Sequence, residues 1–315
     1  MTVTVVAAGY GGPEVLSVVD EPAGVPGPGQ VLVGVRAVGT NPFDCKVYSG
    51  AFGSDPAALP LHLGLEAAGV VIAVGEQAQG PGGPIRPGDE VILSGITGAY
   101  AAEVVAPGSA VLAKPPALSF EEASGLLATG TTAVHALTAT GVGAGDTLVI
   151  HGASGGVGLM AVQLAVGMGA RVIGTARESG HAYPRELGAE PVVYGPGLVE
   201  RIRALAPGGV DAAIDTVGTD EAVDVSVALV ADRGRIATIA AFQRGAGLGI
   251  KVLGSGPGAD PGTAIRSAAR LELIRQAAAG KLKVVVASTY PLSEAAAAHR
   301  ELAAGHTHGK IVLIP

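Results

Sequence analysis

The chain has 315 residues, of which 20 are Lys or Arg and 27 are Asp or Glu, so its formal net charge is −7. This acidic balance argues against a general nucleic-acid-binding protein, because such a protein needs a basic face. Gly and Pro are abundant, but hydrophobic residues make up 48% of the chain and indicate a folded core rather than a low-complexity sequence. The length predicts about two domains.

The N-terminal segment lacks the basic residues of a secretory signal. Residues 123–145 and 147–170 carry no charge, but Gly, Thr and His interrupt both stretches, so neither forms the apolar run of about 20 residues that spans a membrane. The single cysteine, Cys45, excludes an internal disulfide and a cysteine-rich zinc cluster. We therefore expect a cytoplasmic protein without membrane contact.

The first third of the chain has the pattern of short strands separated by turns that contain Gly and Pro, which is typical of a compact β-rich module. The predicted strands are residues 3–7, 15–19, 30–38, 66–74 and 90–93. The pattern changes at Ser119. Glu122 follows it three residues later, and this capping-box pattern predicts a helix that continues through Leu127 or beyond.

From Thr147 onward, predicted strands and helices alternate, which indicates βαβ units and a parallel sheet. The predicted strands are residues 147–152, 171–176, 191–194, 210–217, 234–241 and 250–253. The predicted helices between the first five strands are residues 157–168, 183–187, 198–205 and 221–230. Six strands match the doubly wound dinucleotide-binding fold in number. The pattern then predicts a helix, a strand, a helix and a strand at residues 263–279, 284–287, 293–303 and 310–314.

The strongest chemical signal is a glycine-rich segment between the first strand and the first helix of this alternating region. Ala153, Gly155 and Gly158 form an A-x-G-x-x-G pattern. Such a segment turns sharply, lets a pyrophosphate approach the backbone, and presents the first N–H groups of the helix to the phosphates. Ala replaces the first Gly, so the signal depends on its strand–turn–helix context. The predicted site consists of Ala153, Ser154, Gly155, Gly156, Val157 and Gly158.

The end of the next strand indicates which dinucleotide binds. An acidic residue about 20 positions after the glycines would bind the ribose 2′-hydroxyl of NAD. The sequence there is Thr175-Ala176-Arg177, with no carboxylate before Glu178. Arg177 either pairs with a 2′-phosphate through its planar guanidinium or is a solvated arginine that Glu178 neutralises. We predict NADPH, with Thr175 and Arg177 in its site. Tyr194, at the end of the third predicted strand, either lines the adenosine side or is a half-buried strand-end aromatic residue.

Motifs along nearly the whole chain resemble, in the expected order, the medium-chain dehydrogenase/reductase superfamily and specifically its zinc-independent quinone oxidoreductase branch. The motifs that carry the resemblance are GTNPFD (39–44), LGLEAAGVV (63–71), PGDEV (87–91), GLLATGTTA (125–133), HGASGGVG (151–158) and GKIVL (309–313). The resemblance implies an α/β protein with a doubly wound, parallel, six-stranded Rossmann domain that binds NADPH, at residues 121–261. It also implies a β-rich GroES-like domain at residues 1–120 and 262–315.

The zinc-dependent members resemble this pattern but place Cys where Asn41 stands and His where Leu65 stands. They also carry a lobe with four cysteines, which this sequence lacks. Asn41 and Leu65 supply neither a thiolate nor an imidazole, and Cys45 alone cannot rebuild the ligand set. His306 and His308 stand close in sequence, but no further ligands cluster nearby, so we interpret them as polar residues of a turn. We therefore expect no metal.

Without zinc, an unactivated ketone lacks its Lewis acid. Hydride transfer then favours acceptors that spread the incoming charge themselves, namely quinones and α,β-unsaturated carbonyls. The resemblance implies that Asn41, Asp44 and Tyr48 lie beside the nicotinamide and the substrate. It also places Thr129 near the carboxamide. The residues that it places around the nicotinamide ring are Val217, Gly218, Ala241 and Phe242.

The catalytic candidates are Tyr48 and Asn41, and Asn41 is also a candidate cofactor ligand. Tyr48 is the best candidate to protonate or hydrogen-bond a substrate oxygen. It fits equally well as a structural tyrosine between two β segments. Asp44 fits better as a brace that accepts backbone N–H groups than as an acid.

Two alternatives to a quinone or enone reductase remain open at this point. One is an enoyl reductase of a biosynthetic pathway, although the sequence lacks an obvious basic patch for a phosphopantetheine or CoA handle. The other is a non-catalytic NADPH-binding redox sensor, since fold analogy alone does not establish turnover. The resemblance also implies a homodimer that pairs through the edge of the dinucleotide sheet, at residues 250–253.

Overall fold

The computed structural model describes residues 1–305 and 307–315. Contacts divide the chain into two compact units, Met1–Ala128 with Leu271–Pro315, and Thr129–Arg270. The boundaries predicted from the sequence, after residues 120 and 261, lie earlier at both points.

The strands are β1 (Thr2–Ala7), β2 (Leu16–Glu21), β3 (Gln30–Gly39), β4 (Leu61–His62), β5 (Glu66–Val74), β6 (Gln79–Gly80), β7 (Gly83–Pro84), β8 (Glu90–Ser94), β9 (Glu103–Pro107), β10 (Val111–Ala113), β11 (Thr147–His151), β12 (Arg171–Thr175), β13 (Glu190–Val192), β14 (Ala212–Asp215), β15 (Ile236–Thr238), β16 (Lys251–Val252), β17 (Val286–Pro291) and β18 (Lys310–Ile314). The α-helices are α1 (Pro42–Tyr48), α2 (Phe120–Ser124), α3 (Leu127–Thr140), α4 (Gly156–Gly167), α5 (Ala182–Glu186), α6 (Leu198–Leu205), α7 (Asp220–Leu229), α8 (Phe242–Gly247), α9 (Thr263–Ala278) and α10 (Ala295–Ala304).

The first unit is built around a mostly antiparallel sheet. Its strand order is β10-β8-β5-β3-β18-β17, and β9 pairs with β3 beside this path. A smaller sheet has the order β2-β1-β4. Strand β18 pairs antiparallel with β3, so Val312 lies opposite Gly39. Segments from both ends of the sequence therefore share one sheet and one hydrophobic core.

The second unit contains a sheet of six parallel strands in the order β13-β12-β11-β14-β15-β16. Central strand residues such as Val149 and Ile150 are fully buried, as expected for a parallel sheet covered on both faces. The order confirms the predicted doubly wound dinucleotide fold. Its direction of winding reverses between β11 and β14, and ligands of such folds bind outside the carboxyl ends of the strands at this point.

Helix α1 was not predicted: Tyr48 lies between strands β3 and β4, as expected, but it is the last residue of the helix that connects them. The helix begins after Asn41, with Pro42 at its first position, where a missing N–H costs nothing. Asp44 at the third position accepts a hydrogen bond from the Asn41 backbone N–H at 2.9 Å. This arrangement satisfies an N–H that the helix itself leaves without a partner.

The capping box at Ser119 is confirmed, because the Glu122 N–H donates to Ser119 Oγ at 3.1 Å and the Ser119 N–H donates to Glu122 Oε2 at 2.9 Å. The helix does not continue through Leu127, however. It ends at Ser124, and α3 begins a new helix at Leu127. Tyr194 does not end a strand either, since β13 stops at Val192 and Tyr194 is 45% exposed beyond it.

Other predicted elements agree with the structure in kind and differ at their ends. The strand predicted at residues 284–287 lies later, at Val286–Pro291, and α8 was not predicted because its sequence is rich in Gly. Strand β16 lies at one edge of the six-stranded sheet. Dimerisation through it stays a prediction. Within residues 1–305 and 307–315, no helix has the length and apolar character to span a bilayer.

Candidate functional site

The glycine-rich turn connects β11 to α4 at the carboxyl edge of the parallel sheet. The Ala153 N–H donates to the Thr175 carbonyl at 3.0 Å, and the Gly155 N–H donates to the Gly152 carbonyl at 3.0 Å. A Cβ on Gly158 would lie 2.1 Å from the Gly152 oxygen and 2.8 Å from Ala153 Cα. The first turn of α4 therefore packs so closely on the preceding turn that only glycine fits at position 158.

The N-terminus of α4 has the properties of a phosphate site. Gly155 caps this helix of 12 residues and contributes no side-chain hydrogen bond. The first N–H groups of a helix have no partner within the helix, and the helix dipole adds positive potential there. A Cβ on Gly155 would meet only the Gly152 oxygen, at 3.5 Å, so the backbone is open to close approach. This turn fits the pyrophosphate of a dinucleotide.

Thr175 braces the glycine turn from the neighbouring strand. Its Oγ1 accepts a hydrogen bond from the Gly152 N–H at 3.3 Å and lies 3.4 Å from His151 Nδ1. Only 3% of Thr175 is exposed. Its side chain therefore contacts the backbone of the turn, and its place in the cofactor site stays a prediction.

Arg177 follows β12 at the same edge of the sheet and is half-buried. In the part of the chain that the structure describes, its guanidinium makes no hydrogen bond or ion pair. Glu178 does not pair with it, so the predicted alternative of a neutralised arginine is not observed. An unpaired, planar guanidinium is available to pair with two oxygens of a phosphate.

The other predicted cofactor residues of this unit lie in three places. Val217 and Gly218 follow β14, and Val217 is 49% exposed. Ala241 caps α8, which begins with Phe242, after β15. Thr129 is buried in α3. The sheet thus brings the residues after β11, β12, β14 and β15 to one edge, because parallel strands end on the same side.

Asn41 belongs to a buried polar cluster of the first unit. Its Nδ2 donates to the Gly39 carbonyl at 3.1 Å and to Glu66 Oε1 at 3.2 Å. Its Oδ1 accepts a hydrogen bond from Lys310 Nζ at 2.8 Å. The amide that we singled out as a catalytic and cofactor-binding candidate is therefore engaged by the protein on both its oxygen and its nitrogen.

Lys310 and Glu66 form the charged centre of that cluster. Lys310 Nζ lies 3.0 Å from Glu66 Oε1 and also donates to the Thr40 carbonyl at 2.6 Å. Glu66 is completely buried, and its second oxygen accepts a hydrogen bond from the Ala128 N–H at 2.9 Å. A buried ion pair is tolerated when further hydrogen bonds satisfy both partners, as they do here.

A second polar cluster joins α1 to α10. Tyr48 Oη lies 3.0 Å from His299 Nδ1, and Cys45 Sγ lies 3.5 Å from the same nitrogen. On the other side of the ring, Tyr100 Oη lies 2.7 Å from His299 Nε2 and donates to Asp44 Oδ2 at 3.3 Å. With Asp44 ionised, the chain of donors runs from Tyr48 through His299 and Tyr100 to the carboxylate.

The burial and hydrogen bonding of Tyr48 bear on whether its hydroxyl can protonate a substrate. Only 2% of Tyr48 is exposed, and burial raises the pKa of its phenol above the ordinary value. Burial also raises the pKa of the Cys45 thiol. The Tyr48 hydroxyl is therefore a neutral group held by His299. This geometry favours the structural alternative over direct protonation of a substrate.

Buried ionisable groups make the stability of the protein depend on pH. Burial lowers the pKa of both His151 and His299 to about 4, and burial raises the pKa of Asp44 to about 6. A histidine with a lower pKa in the folded chain stabilises the fold above its unfolded pKa, and this contribution is lost as the pH falls toward the folded value. Asp44 acts in the opposite sense, because its raised pKa favours the folded protonated form at low pH.

We therefore expect the free energy of unfolding to fall between about pH 7 and about pH 5, by about 2 kcal/mol for each imidazole, with an opposing gain of about 1 kcal/mol from Asp44. Urea unfolding at the two pH values measures this change. In His299→Asn, about half of the imidazole contribution should disappear. A free energy of unfolding that rises on acidification would contradict this account.

Sequence reasoning missed His299, Tyr100 and Lys310 as parts of these clusters. Glu66 and Lys310 stand in the motifs LGLEAAGVV and GKIVL, and a charged residue within an apolar strand is a signal of a buried partner. No comparable signal marks His299, since nothing in the alanine-rich sequence of α10 indicates a buried partner for it.

Across the described residues, no group of three or more His, Cys, Asp or Glu side chains has the arrangement of a metal site. His308 lies half-buried in a bend before β18, and His306 lies outside the described residues. At the position where zinc-dependent relatives carry a thiolate, Asn41 Oδ1 instead faces the Lys310 ammonium at 2.8 Å. A divalent cation does not fit beside that ammonium.

Two family models match the chain. The alcohol dehydrogenase GroES-like domain matches residues 27–116, and the zinc-binding dehydrogenase model matches residues 187–313. Among curated proteins, the quinone oxidoreductase of Pseudomonas aeruginosa is 34% identical over 98% of both chains. The quinone oxidoreductase of Homo sapiens is 31% identical over 97% of this chain and 95% of its own length.

Solved structures of a quinone oxidoreductase and of an alcohol dehydrogenase also match over nearly the whole chain. The Escherichia coli quinone oxidoreductase complexed with NADPH has a TM-score of 0.86 at 29% identity, covering 99% of this chain and 100% of that one. An NAD-dependent alcohol dehydrogenase has a TM-score of 0.86 at 32% identity, covering 99% of both chains. With the strand order and the motifs already described, these matches show that the chain belongs to the medium-chain dehydrogenase/reductase superfamily, in its quinone oxidoreductase branch.

Proposed function

We propose that this protein is an NADPH-dependent, zinc-independent reductase that transfers a hydride to a quinone or an α,β-unsaturated carbonyl. The observation that carries the proposal is the unpaired guanidinium of Arg177 at the carboxyl end of β12, within the described chain. No carboxylate stands at the position that would bind the ribose of NAD. The similarity to quinone oxidoreductases, including one solved with NADPH, supports the same cofactor and substrate class.

In this proposal, residues of the second unit bind the pyrophosphate, the 2′-phosphate, the adenosine and the nicotinamide half of the dinucleotide. The backbone of residues 153–158 and the N-terminus of α4 hold the pyrophosphate. Arg177 pairs with the 2′-phosphate, and Tyr194 lines the adenosine side. The proposed neighbours of the nicotinamide half are Thr129, Val217, Gly218, Ala241 and Phe242. Bound NADPH supplies the hydride, and the protein supplies orientation and electrostatics.

The zinc-independent part of the proposal rests on the donor set. Asn41 is engaged by Lys310 and Glu66, and Leu65 has no donor atom in its side chain. Neither is a ligand that zinc prefers. Acceptors that delocalise the incoming negative charge need no Lewis acid, which is why we propose quinones and enones.

Asn41 and Tyr48 then act as positioning residues. Asn41 fixes the start of α1 by its hydrogen bonds with Gly39 and Lys310. Tyr48 fixes the end of the same helix through His299. Both side chains are at least nine-tenths buried. We therefore propose that they hold helix α1 in place and do not contact the reacting atoms.

The test is oxidation of NADPH by 1,4-benzoquinone and by a simple enone, followed through the absorbance of the reduced nicotinamide. NADH in place of NADPH and assays without enzyme are the controls. Faster turnover with NADPH than with NADH is the expected result. Binding of NADPH without turnover on either acceptor would contradict the reductase and favour the non-catalytic binding protein.

Replacing Arg177 with Ala tests the cofactor assignment. Because a charge-assisted contact to the 2′-phosphate would be lost, we expect the KM for NADPH to rise by about tenfold or more, with the KM for NADH almost unchanged. Initial-rate kinetics with both cofactors measure this difference. Arg185→Ala is the control, because Arg185 is an exposed arginine on α5 that the proposal does not use. Equal effects of the two substitutions would contradict the role of Arg177.

A further inference from the structure

The last residues of β14 and β15, Asp215 and Thr238, lie opposite each other in the parallel ladder and are both completely buried. Thr238 Oγ1 donates to Asp215 Oδ2 at 2.7 Å. Such a bond between a buried carboxylate and a hydroxyl is strong because one partner carries charge. It joins two neighbouring strands at the edge of the sheet where they end.

Each partner of this bond also holds the turn that follows its own strand. Asp215 Oδ1 accepts the backbone N–H groups of Val217 at 2.9 Å and Gly218 at 2.8 Å. Thr238 Oγ1 accepts the N–H groups of Ala240 at 3.2 Å and Ala241 at 3.0 Å. The threonine hydroxyl uses its lone pairs for the second turn and its single proton for Asp215. A carboxylate is the partner that completes this set, since it only accepts.

The two turns also touch directly. Gly218 has a φ of +85°, in the left-handed region that favours glycine. A Cβ at this position would lie 2.7 Å from Ala240 Cβ and 3.1 Å from the Ala240 carbonyl carbon. The turn after β14 therefore packs against the turn after β15 without space for a side chain, so a movement of one turn displaces the other.

Asp215 and Thr238 lie at the edge of the parallel sheet where the cofactor of such a fold binds. β14 adjoins the point where the winding of the sheet reverses, and a dinucleotide binds outside the carboxyl ends of the strands there. Residues 217–218 and 241–242 belong to the proposed nicotinamide half of the site. We infer that Asp215 and Thr238 are positioning residues that clamp these two turns into one rigid seat for the nicotinamide half of the cofactor, an inference that rests on the proposed function.

Thr238→Val tests this clamp, because it keeps the shape of the side chain and removes the hydroxyl. The substitution leaves Asp215 Oδ2 and the N–H groups of Ala240 and Ala241 without partners. We expect the Kd for NADPH to rise by about tenfold, and the Kd for 2′,5′-ADP, which lacks the nicotinamide half, to stay within about twofold. Thr238→Ser keeps the hydroxyl and should bind NADPH within about threefold of wild type.

Thr219→Val is the matched control. Thr219 also carries a hydroxyl in the turn after β14, but it caps α7 by accepting the Ala222 N–H at 3.2 Å, and among the described residues the hydrogen bonds of Asp215 go to Val217, Gly218 and Thr238 instead. It should lose stability without the selective loss of NADPH binding. Equal binding of NADPH by wild type and Thr238→Val would overturn the clamp, and so would parallel losses for NADPH and 2′,5′-ADP. Wild-type protein that binds neither compound would contradict the proposed cofactor and the clamp together.

Amide hydrogen exchange of the wild type gives a second test, which does not depend on the folding of a variant. We expect NADPH to slow exchange in residues 216–219 and 239–242 together, and 2′,5′-ADP to leave both segments unchanged. Protection of only one of the two segments would overturn the single seat.

Discussion

Lys310→Met is expected to lower the free energy of unfolding by about 3–5 kcal/mol, because it leaves the carboxylate of Glu66 buried without its counter-charge. The substitution also removes the donor that satisfies Asn41 Oδ1 and the Thr40 carbonyl. Urea unfolding at neutral pH measures the effect through the midpoint and the slope of the transition.

Two comparisons separate the buried charge from a general effect of losing a cation. Arg171→Met breaks an ion pair with Glu190 in which both side chains are about two-fifths exposed, so it should cost about 1 kcal/mol or less. The double variant with Glu66→Gln and Lys310→Met buries no charge and should recover part of the stability. A loss for Lys310→Met no larger than that for Arg171→Met would show that the Glu66 charge is stabilised by other means.

Gly158→Ala is expected to have the second large effect, on stability and on cofactor binding together. The added methyl group would lie 2.1 Å from the Gly152 oxygen, which belongs to the backbone and cannot move aside like a flexible side chain. We expect a loss of about 3 kcal/mol or more in the free energy of unfolding, since overpacking forces the turn away from α4. NADPH binding should weaken by more than about 100-fold, because the phosphate site is the displaced turn.

Gly155→Ala is the matched substitution in the same turn. The backbone of Gly155 has a φ of −77°, which any residue adopts, and the new methyl group would approach the Gly152 oxygen only to 3.5 Å. Its stability should therefore stay within about 1 kcal/mol of wild type. NADPH should nevertheless bind more weakly, because the methyl group would occupy the approach of the pyrophosphate. NADPH fluorescence titration measures both variants, and wild-type affinity in Gly155→Ala would refute the placement of the pyrophosphate.

The sequence predicted the architecture of the second unit well because its signals are local. Strand β11 is an apolar run followed directly by glycines and a helix, and the structure shows these elements close to the predicted bounds. Helix α6 lies at residues 198–205, as predicted. Such elements can be predicted from a short stretch of sequence, because the hydrophobic residues of strands and helices repeat with different periods.

The polar clusters could not be predicted in the same way, because their partners are distant in sequence. Tyr48 and His299 are separated by 251 positions, and Glu66 and Lys310 by 244. No local pattern encodes such a pair. Helix α1 was missed for another reason: its short sequence is interpreted as a connection between strands unless the Asn41–Asp44 hydrogen bond is known. The site residues proposed for the cofactor stay predictions until binding is measured.

The position of β18 has a consequence for how the first unit is assembled. This strand lies between β3 and β17, and Thr40 Oγ1 donates to the Ile311 carbonyl across 271 positions of sequence. Closing so long a loop costs conformational entropy before the contacts between the two strands can stabilise the pairing. Because Lys310 is the first residue of the same strand, Glu66 has this counter-charge only when β18 is paired with β3. Pairing of this single strand thus couples charge neutralisation to formation of the sheet, and a first unit without β18 lacks the counter-charge of Glu66.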